Sequence, residues 1–381
     1  MDERVREHAE VLVDWSARVE AGDDVVVSVA EDAHELGVAV AAALGERGAN
    51  VTTLYGSSEL SRAYLKGVEA GVDGDVDADD FDADPAVDRA VFEAADAYLR
   101  IGGGRNTTAS ADVDRPTRQA YAKARQGVRE ARMDTDWVST VHPTRSLAQQ
   151  AGMAYEEYQE FVYDAVLRDW ESLADEMARM KDVLDAGEAV RIVTERDGAP
   201  DTDVTMSIDG RTAVNSAASV AYDSHNLPSG EVFTAPYDTA GEVFFDVPMT
   251  IDATRVRNVH LAFEEGEVVD FSAEAGEDAL AEILDTDDGA RQLGELGIGM
   301  NRGIDRFTDS ILFDEKMGDT VHLAVGRAYD ACLPEGESGN DSAVHVDMIT
   351  DVSADSRLEV DGELVQRNGT FRWEDGFEAE D

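Results

Sequence analysis

Two rhythms of apolar residues succeed one another along this chain, and the change between them near residue 185 constrains its fold most. In the first half, strand-like runs alternate with helical spacing. Val5, Val11, Leu12 and Trp15 fall at helical intervals, Val25–Val29 reads as a buried strand and Ala33–Arg47 as a helix. Val51–Tyr55 is a second strand, followed by helix around Leu60–Val68, an acidic, Gly-punctuated solvated loop over Gly71–Asp84, helix at Val87–Ala95 and a third strand at Ala97–Ile101. A β-α-β-α order predicts a parallel sheet flanked by helices, and helical segments from Ser146 to Leu184 close this part.

Beyond residue 185 the strands are short and the turns acidic. Ala189–Thr194, Thr202–Ile208, Val243–Ile251, Val256–Phe263, Val268–Phe271 and Leu358–Val365 are broken by Asp209–Gly210, Glu265–Gly266 and Asp361–Gly362. Asp–Gly turns between alternating runs indicate antiparallel pairing, with one helix near Glu277–Leu284. The expected architecture is α/β: an N-terminal parallel-sheet α/β domain over 1–185, then a mixed, largely antiparallel α+β domain over 186–381. A chain of 381 residues suits two cores rather than one.

Charge bounds the partners. With 83 Asp and Glu against 32 Lys and Arg, the formal net charge is −51. Such a surface repels nucleic acid and anionic membrane, so neither is an expected partner. Disorder needs low hydrophobicity, whereas periodic apolar segments run throughout. Lysine occurs only at Lys66, Lys123, Lys181 and Lys316. Acid surplus with scarce lysine fits a folded halophilic protein, whose repulsion molar salt screens within a few ångströms. A single cysteine, Cys332, excludes an internal disulfide framework and a thiolate zinc cluster. The charged N-terminus has no signal-peptide core and no run reaches membrane-span length, so a cytoplasmic location is expected.

Chemistry is best sought in the second half. The run Ile101-Gly-Gly-Gly-Arg-Asn106 departs from the spacing of a phosphate cradle and reads as a flexible strand exit. His345-Val-Asp347 lies in an extended segment, where positions i and i+2 share one face, so an imidazole and a carboxylate converge. An isolated pair of this kind is more often a solvent-facing coincidence. His322 sits in the apolar run Thr320–Val325, the usual setting of a core histidine, with Tyr329 seven residues on and Asp314-Glu315 shortly before. Glu231 follows Asn226-Leu-Pro-Ser-Gly230, and Glu295 stands between apolar residues and glycines. Together these two histidines, one Asp and two or three Glu form a nitrogen and oxygen donor set suited to zinc, cobalt, manganese or iron. Two ions sharing a carboxylate would use all of them.

At these residues the sequence resembles the thermophilic aminopeptidase family that includes aminopeptidases T and S. The matching segments are Asn226-Leu-Pro-Ser-Gly-Glu231, Leu293-Gly-Glu295, Leu312-Phe-Asp-Glu-Lys316, Val321-His-Leu-Ala-Val-Gly-Arg-Ala-Tyr329 and Asn340-Asp-Ser-Ala-Val-His-Val-Asp-Met348. The resemblance implies a metal-dependent aminopeptidase acting on short peptides, with two divalent ions (zinc, cobalt or manganese) and a homodimeric assembly. It implies metal ligands at Glu231, Glu295, His322, His345 and Asp347, with Glu315 matching at a slightly different distance from the histidine. Tyr329 matches an active-site tyrosine, and Glu231 or Glu295 is expected to act as general base. It assigns no substrate-pocket residues. The competing expectation is a ring-cleaving dioxygenase of related fold, holding one iron through His322, His345 and Asp347.

Overall fold

A computed structural model of the chain describes residues 1–81, 85–251 and 254–379. The chain packs as two compact units. The first takes Met1–Leu167 and the segment Ala218–Pro228; the second takes Arg168–Ala217 and the chain from Ser229 onward. The sequence alone suggested a division near residue 185. In the structure the helix Trp170–Ala186 counts with the second unit, and Asn226–Leu227 returns to the first as its last strand.

The first unit is built on a wholly parallel sheet. Its strand order is Asn50–Gly56, Asp24–Ala30, Ala97–Gly102, Asp136–Val141 and Asn226–Leu227. Asp24–Ala30 is an interior strand, paired on both sides, and Val25, Val26, Val27 and Val29 are all buried rather than alternating. The helix His34–Arg47 ends where Gly48 takes a left-handed conformation at φ 83°, a geometry that costs glycine little. The expected solvated loop Gly71–Asp84 differs from the reading. Val76 and Phe81 are buried there against Leu65, Val113 and Ala120, so the acidic residues hold two apolar anchors between them. Asp82 to Asp84 lie outside the described residues. Gly103 and Gly104 lead into turns and not a helix.

The second unit holds two antiparallel systems. Nine strands form one sheet, which includes the hairpin of Ser356–Val360 and Glu363–Arg367. The other has five strands in the order His345–Asp351, Thr320–Gly326, Leu293–Gly299, Glu231–Thr234 and Val214–Ser216, every neighbouring pair antiparallel. The parallel-then-antiparallel architecture is the one the sequence predicts. Leu293–Gly299 escaped that reading because Gly294, Gly297 and Gly299 lower its strand propensity.

Candidate active site

The five-stranded sheet gathers the polar residues by register. Gly297 pairs with His322, Gly299 with Glu231, Ala324 with both Glu295 and Asp347, and Gly326 with His345. Cross-strand partners project from the same face and side chains alternate along a strand. Glu231, Glu295, His322, His345 and Asp347 therefore share one face, each opposite a glycine or alanine that leaves room for it. The clearest case is Gly297. A Cβ there would lie 1.9 Å from His322 Cε1 and 2.0 Å from Nε2, so the imidazole occupies the space that only a missing side chain provides.

Contacts within the cluster are short. His322 Nε2 lies 3.0 Å from Glu295 Oε1 and 3.7 Å from Glu231 Oε2. His345 Nε2 lies 3.4 Å from Glu295 Oε2 and 3.5 Å from Asp347 Oδ1. The other nitrogen of His345 stands 2.8 Å from the carbonyl oxygen of Arg327. A carbonyl only accepts, so Nδ1 carries the hydrogen and Nε2 faces the carboxylates. Two groups of donor atoms result, each spanning no more than 4.8 Å. Glu231, Glu295 and His322 form one, Glu295, His345 and Asp347 the other, and Glu295 belongs to both.

Burial makes this arrangement costly without cations. Glu231, Glu295 and His322 are buried, and Glu231 Oε2, Glu295 Oε2 and His322 Nδ1 have no hydrogen-bond partner. Buried carboxylates with unpaired oxygens lose hydration without replacement. Desolvation pushes the Glu231 carboxyl up, against the pull of Lys316 and His322. Burial also acts to raise Glu295 and Asp347, but the neighbouring imidazoles, His322 and His345 beside Glu295 and chiefly His345 beside Asp347, outweigh it and hold both carboxyls low. The imidazoles answer in the opposite sense. Burial opposes their charging, yet the neighbouring carboxylates lift His322 and bring His345 to about 10. Imidazolium protons and a divalent cation would compete for the same oxygens.

Glu315 is the expected ligand that stands apart. It caps the short helix Ile311–Asp314, belongs to neither donor group and pairs with Lys316. Lys316 itself is fully buried, and its Nζ lies 3.5 Å from Glu231 Oε1. The sequence reading gave it no role. The signal was present, since it is one of four lysines and follows two acids in an otherwise apolar stretch. Tyr329 stands at the margin, 47% exposed, its ring 4.9 Å from that of His345. Burial of the phenol and the nearby Glu295 and Asp347 push its pKa upward, so the hydroxyl keeps its proton.

Comparison with known proteins places this arrangement in context. The sequence pattern of the thermophilic metalloprotease family (M29) matches residues 1–371. Aminopeptidase T of Thermus thermophilus is 27% identical over 406 aligned residues, covering 93% of each chain. Aminopeptidase 2 of Geobacillus stearothermophilus is 34% identical over 232 residues, 54% of each chain. The solved structure of wild-type AmpT from Thermus thermophilus is similar at a TM-score of 0.81 and 26% identity, covering 97% of this chain and 99% of that one.

Proposed function

This chain belongs to the thermophilic metalloprotease family M29 and is a metallo-aminopeptidase, and we propose that it removes the N-terminal residue of short peptides using two divalent metal ions. The observation that carries the proposal is the position of Glu295 in both donor groups. One carboxylate shared between two sets of nitrogen and oxygen donors is the arrangement that a pair of zinc, cobalt or manganese ions requires. Glu231 and His322 would complete one ligand set, His345 and Asp347 the other. The unpaired buried oxygens of Glu231 and Glu295 fit such occupancy. His322, His345 and Asp347, the set a single-iron dioxygenase would need, are instead divided between the two groups.

When bound, the ions would lower the pKa of a water molecule toward neutrality and polarise the scissile carbonyl. Glu231 is the favoured general base. Its Oε2, 3.7 Å from His322 Nε2, would serve the ligand set, leaving Oε1, 3.5 Å from Lys316 Nζ, to take a proton and pass it to the leaving amine. The protonated Tyr329 hydroxyl, at the open margin, donates to the developing oxyanion. The surplus of carboxylates favours a free α-ammonium group near the site and disfavours a blocked terminus.

Release of leucine from leucine amide, but not from N-acetyl-leucine amide, with complete loss on chelation, is the expected result. Equal hydrolysis of both, or activity indifferent to chelator, would exclude this function. The charge of −51 further supports operation in molar salt. Full helical ellipticity after dialysis into dilute buffer would count against that part. We read the chain as a cytoplasmic protein, and the resemblance supports a homodimer, with sedimentation equilibrium in multimolar KCl as the test of assembly; among the described residues no helix is long and apolar enough to cross a membrane.

A further inference from the structure

A cavity of about 380 Å³ lies beside the strand that carries His345 and Asp347, and both residues line it. That strand is the last of its sheet, and its Ile349 carbonyl accepts from the Val247 N–H, which brings the segment 247–251 against it as one wall. The rest of the wall is mostly apolar and comes from three stretches distant in sequence: Met249 and Ile251, Ile283, then Phe307 and Ile311. Its volume falls at the lower end of small-molecule pockets, about 300–1,000 Å³. It suits one side chain and its immediate backbone rather than a whole peptide.

The wall is held in place before any ligand arrives. Arg255 lies over the Phe307 ring, 4.7 Å from its centroid, and bonds Asp309 at 2.8 Å. Asp309 also accepts from Thr250 Oγ1 at 2.9 Å. Asp314, the other acid in the lining, accepts from Thr308 through its backbone N–H and its hydroxyl, and from the Ser310 N–H. Both acids are thus engaged by the protein, and their charge opposes an acidic guest. At the mouth Ile311 is 53% exposed.

We propose that this cavity receives the side chain of the substrate's N-terminal residue, and that Met249, Ile283, Phe307 and Ile311 set a preference for bulky apolar residues such as leucine, methionine or phenylalanine. The assignment rests on the aminopeptidase reading, because that reading makes the residue next to His345 and Asp347 the one removed. Each methylene matched in an apolar pocket is worth roughly 10–200-fold in discrimination, so the difference between leucine and alanine falls well within reach of measurement.

The test is a series of kcat/KM values for leucine, phenylalanine, alanine and glutamate p-nitroanilides, measured on metal-loaded protein in multimolar KCl. The wild type is expected to favour leucine over alanine by about tenfold or more. Ile311→Glu, a change at the exposed rim, is expected to cut the leucine-to-alanine ratio at least about tenfold, mostly through KM. Met249→Trp, which fills the cavity from one side, is expected to reverse the preference toward alanine. Unaltered ratios in both variants, with turnover and metal content retained, overturn the pocket assignment while leaving the aminopeptidase reading in place. No release from any substrate by the metal-loaded wild type overturns that reading, and the pocket assignment with it.

Discussion

Replacing Gly297 with alanine puts a methyl group into the space of the His322 imidazole. The added carbon would stand 1.9 Å from Cε1, 2.0 Å from Nε2 and 2.8 Å from Cδ2. To reach ordinary van der Waals separation the ring must retreat by roughly 1.5 Å. It cannot do so and keep Nε2 at 3.0 Å from Glu295 Oε1 and 3.7 Å from Glu231 Oε2. His322 is fully buried, so the displaced ring overpacks its surroundings at a cost of about 1–3 kcal/mol. Disturbing only the support of a ligand typically lowers metal affinity or activity about 10–100-fold. Moving the ligand itself should exceed that, giving at least about a 100-fold fall in kcat. Leucine amide hydrolysis, metal content and thermal melting, measured in parallel, separate the two effects: a modest drop in Tm beside a large loss of activity and of bound metal. Gly45→Ala is the matched control, since a methyl there meets nothing within 4 Å and the site is a helix interior. It should leave activity untouched and slightly raise stability, by about 1 kcal/mol or less. A Gly297→Ala enzyme with wild-type metal content and turnover would show that His322 does not need the space at Gly297 to serve the site.

Three further outcomes are expected. Tyr329→Phe should lower kcat about 10²–10³-fold, as for loss of one oxyanion donor, with metal content unchanged; undiminished kcat removes the residue from the scheme. Lys316→Met leaves Glu231 and Glu315 without their buried cation. Breaking such a pair costs about 3–5 kcal/mol, and the loss should be larger for chelated than for metal-loaded protein, as paired melting curves would reveal. His8 is fully buried, accepts or donates one hydrogen bond with Thr140 Oγ1 at 2.8 Å, and is driven by desolvation to a pKa of about 3. Because the folded value lies below the unfolded one of 6.5, the neutral imidazole's contribution is complete above about pH 6.5 and fades as pH falls toward 3. A His8→Gln variant should flatten the acid limb of the stability profile by up to about 4–5 kcal/mol; parallel profiles for the two proteins would dispose of this explanation.

What the sequence disclosed, and what it hid, follows from the range of the interactions. The run Val25–Val29 declared a doubly covered strand because burial on both faces leaves a continuous apolar pattern. His345 and Asp347 could be placed together because a strand fixes positions i and i+2 locally. The convergence of Glu231, Glu295 and His322 depends on register between strands far apart in the chain, and only the motif resemblance pointed to it. The glycines of Leu293–Gly299 argued locally against a strand, yet Gly297 is there because His322 needs its space. Lys316 left only the trace of a rare lysine after two acids, and its pairing with Glu315 left none, since a buried ion pair has no periodic pattern. The apolar anchors Val76 and Phe81 were masked by the acidic residues around them. The return of Asn226–Leu227 to the first sheet rests on two paired residues, too few to leave a strand pattern.

A two-metal centre requires that Glu295 serve two ions. Protein purified in multimolar KCl, freed of loose metal and analysed for bound ions per chain alongside leucine amide hydrolysis, tests it directly. About two zinc-, cobalt- or manganese-class ions per chain are expected, with activity lost as they are chelated and about one ion retained by Glu295→Gln. One ion per wild-type chain at full activity would contradict it.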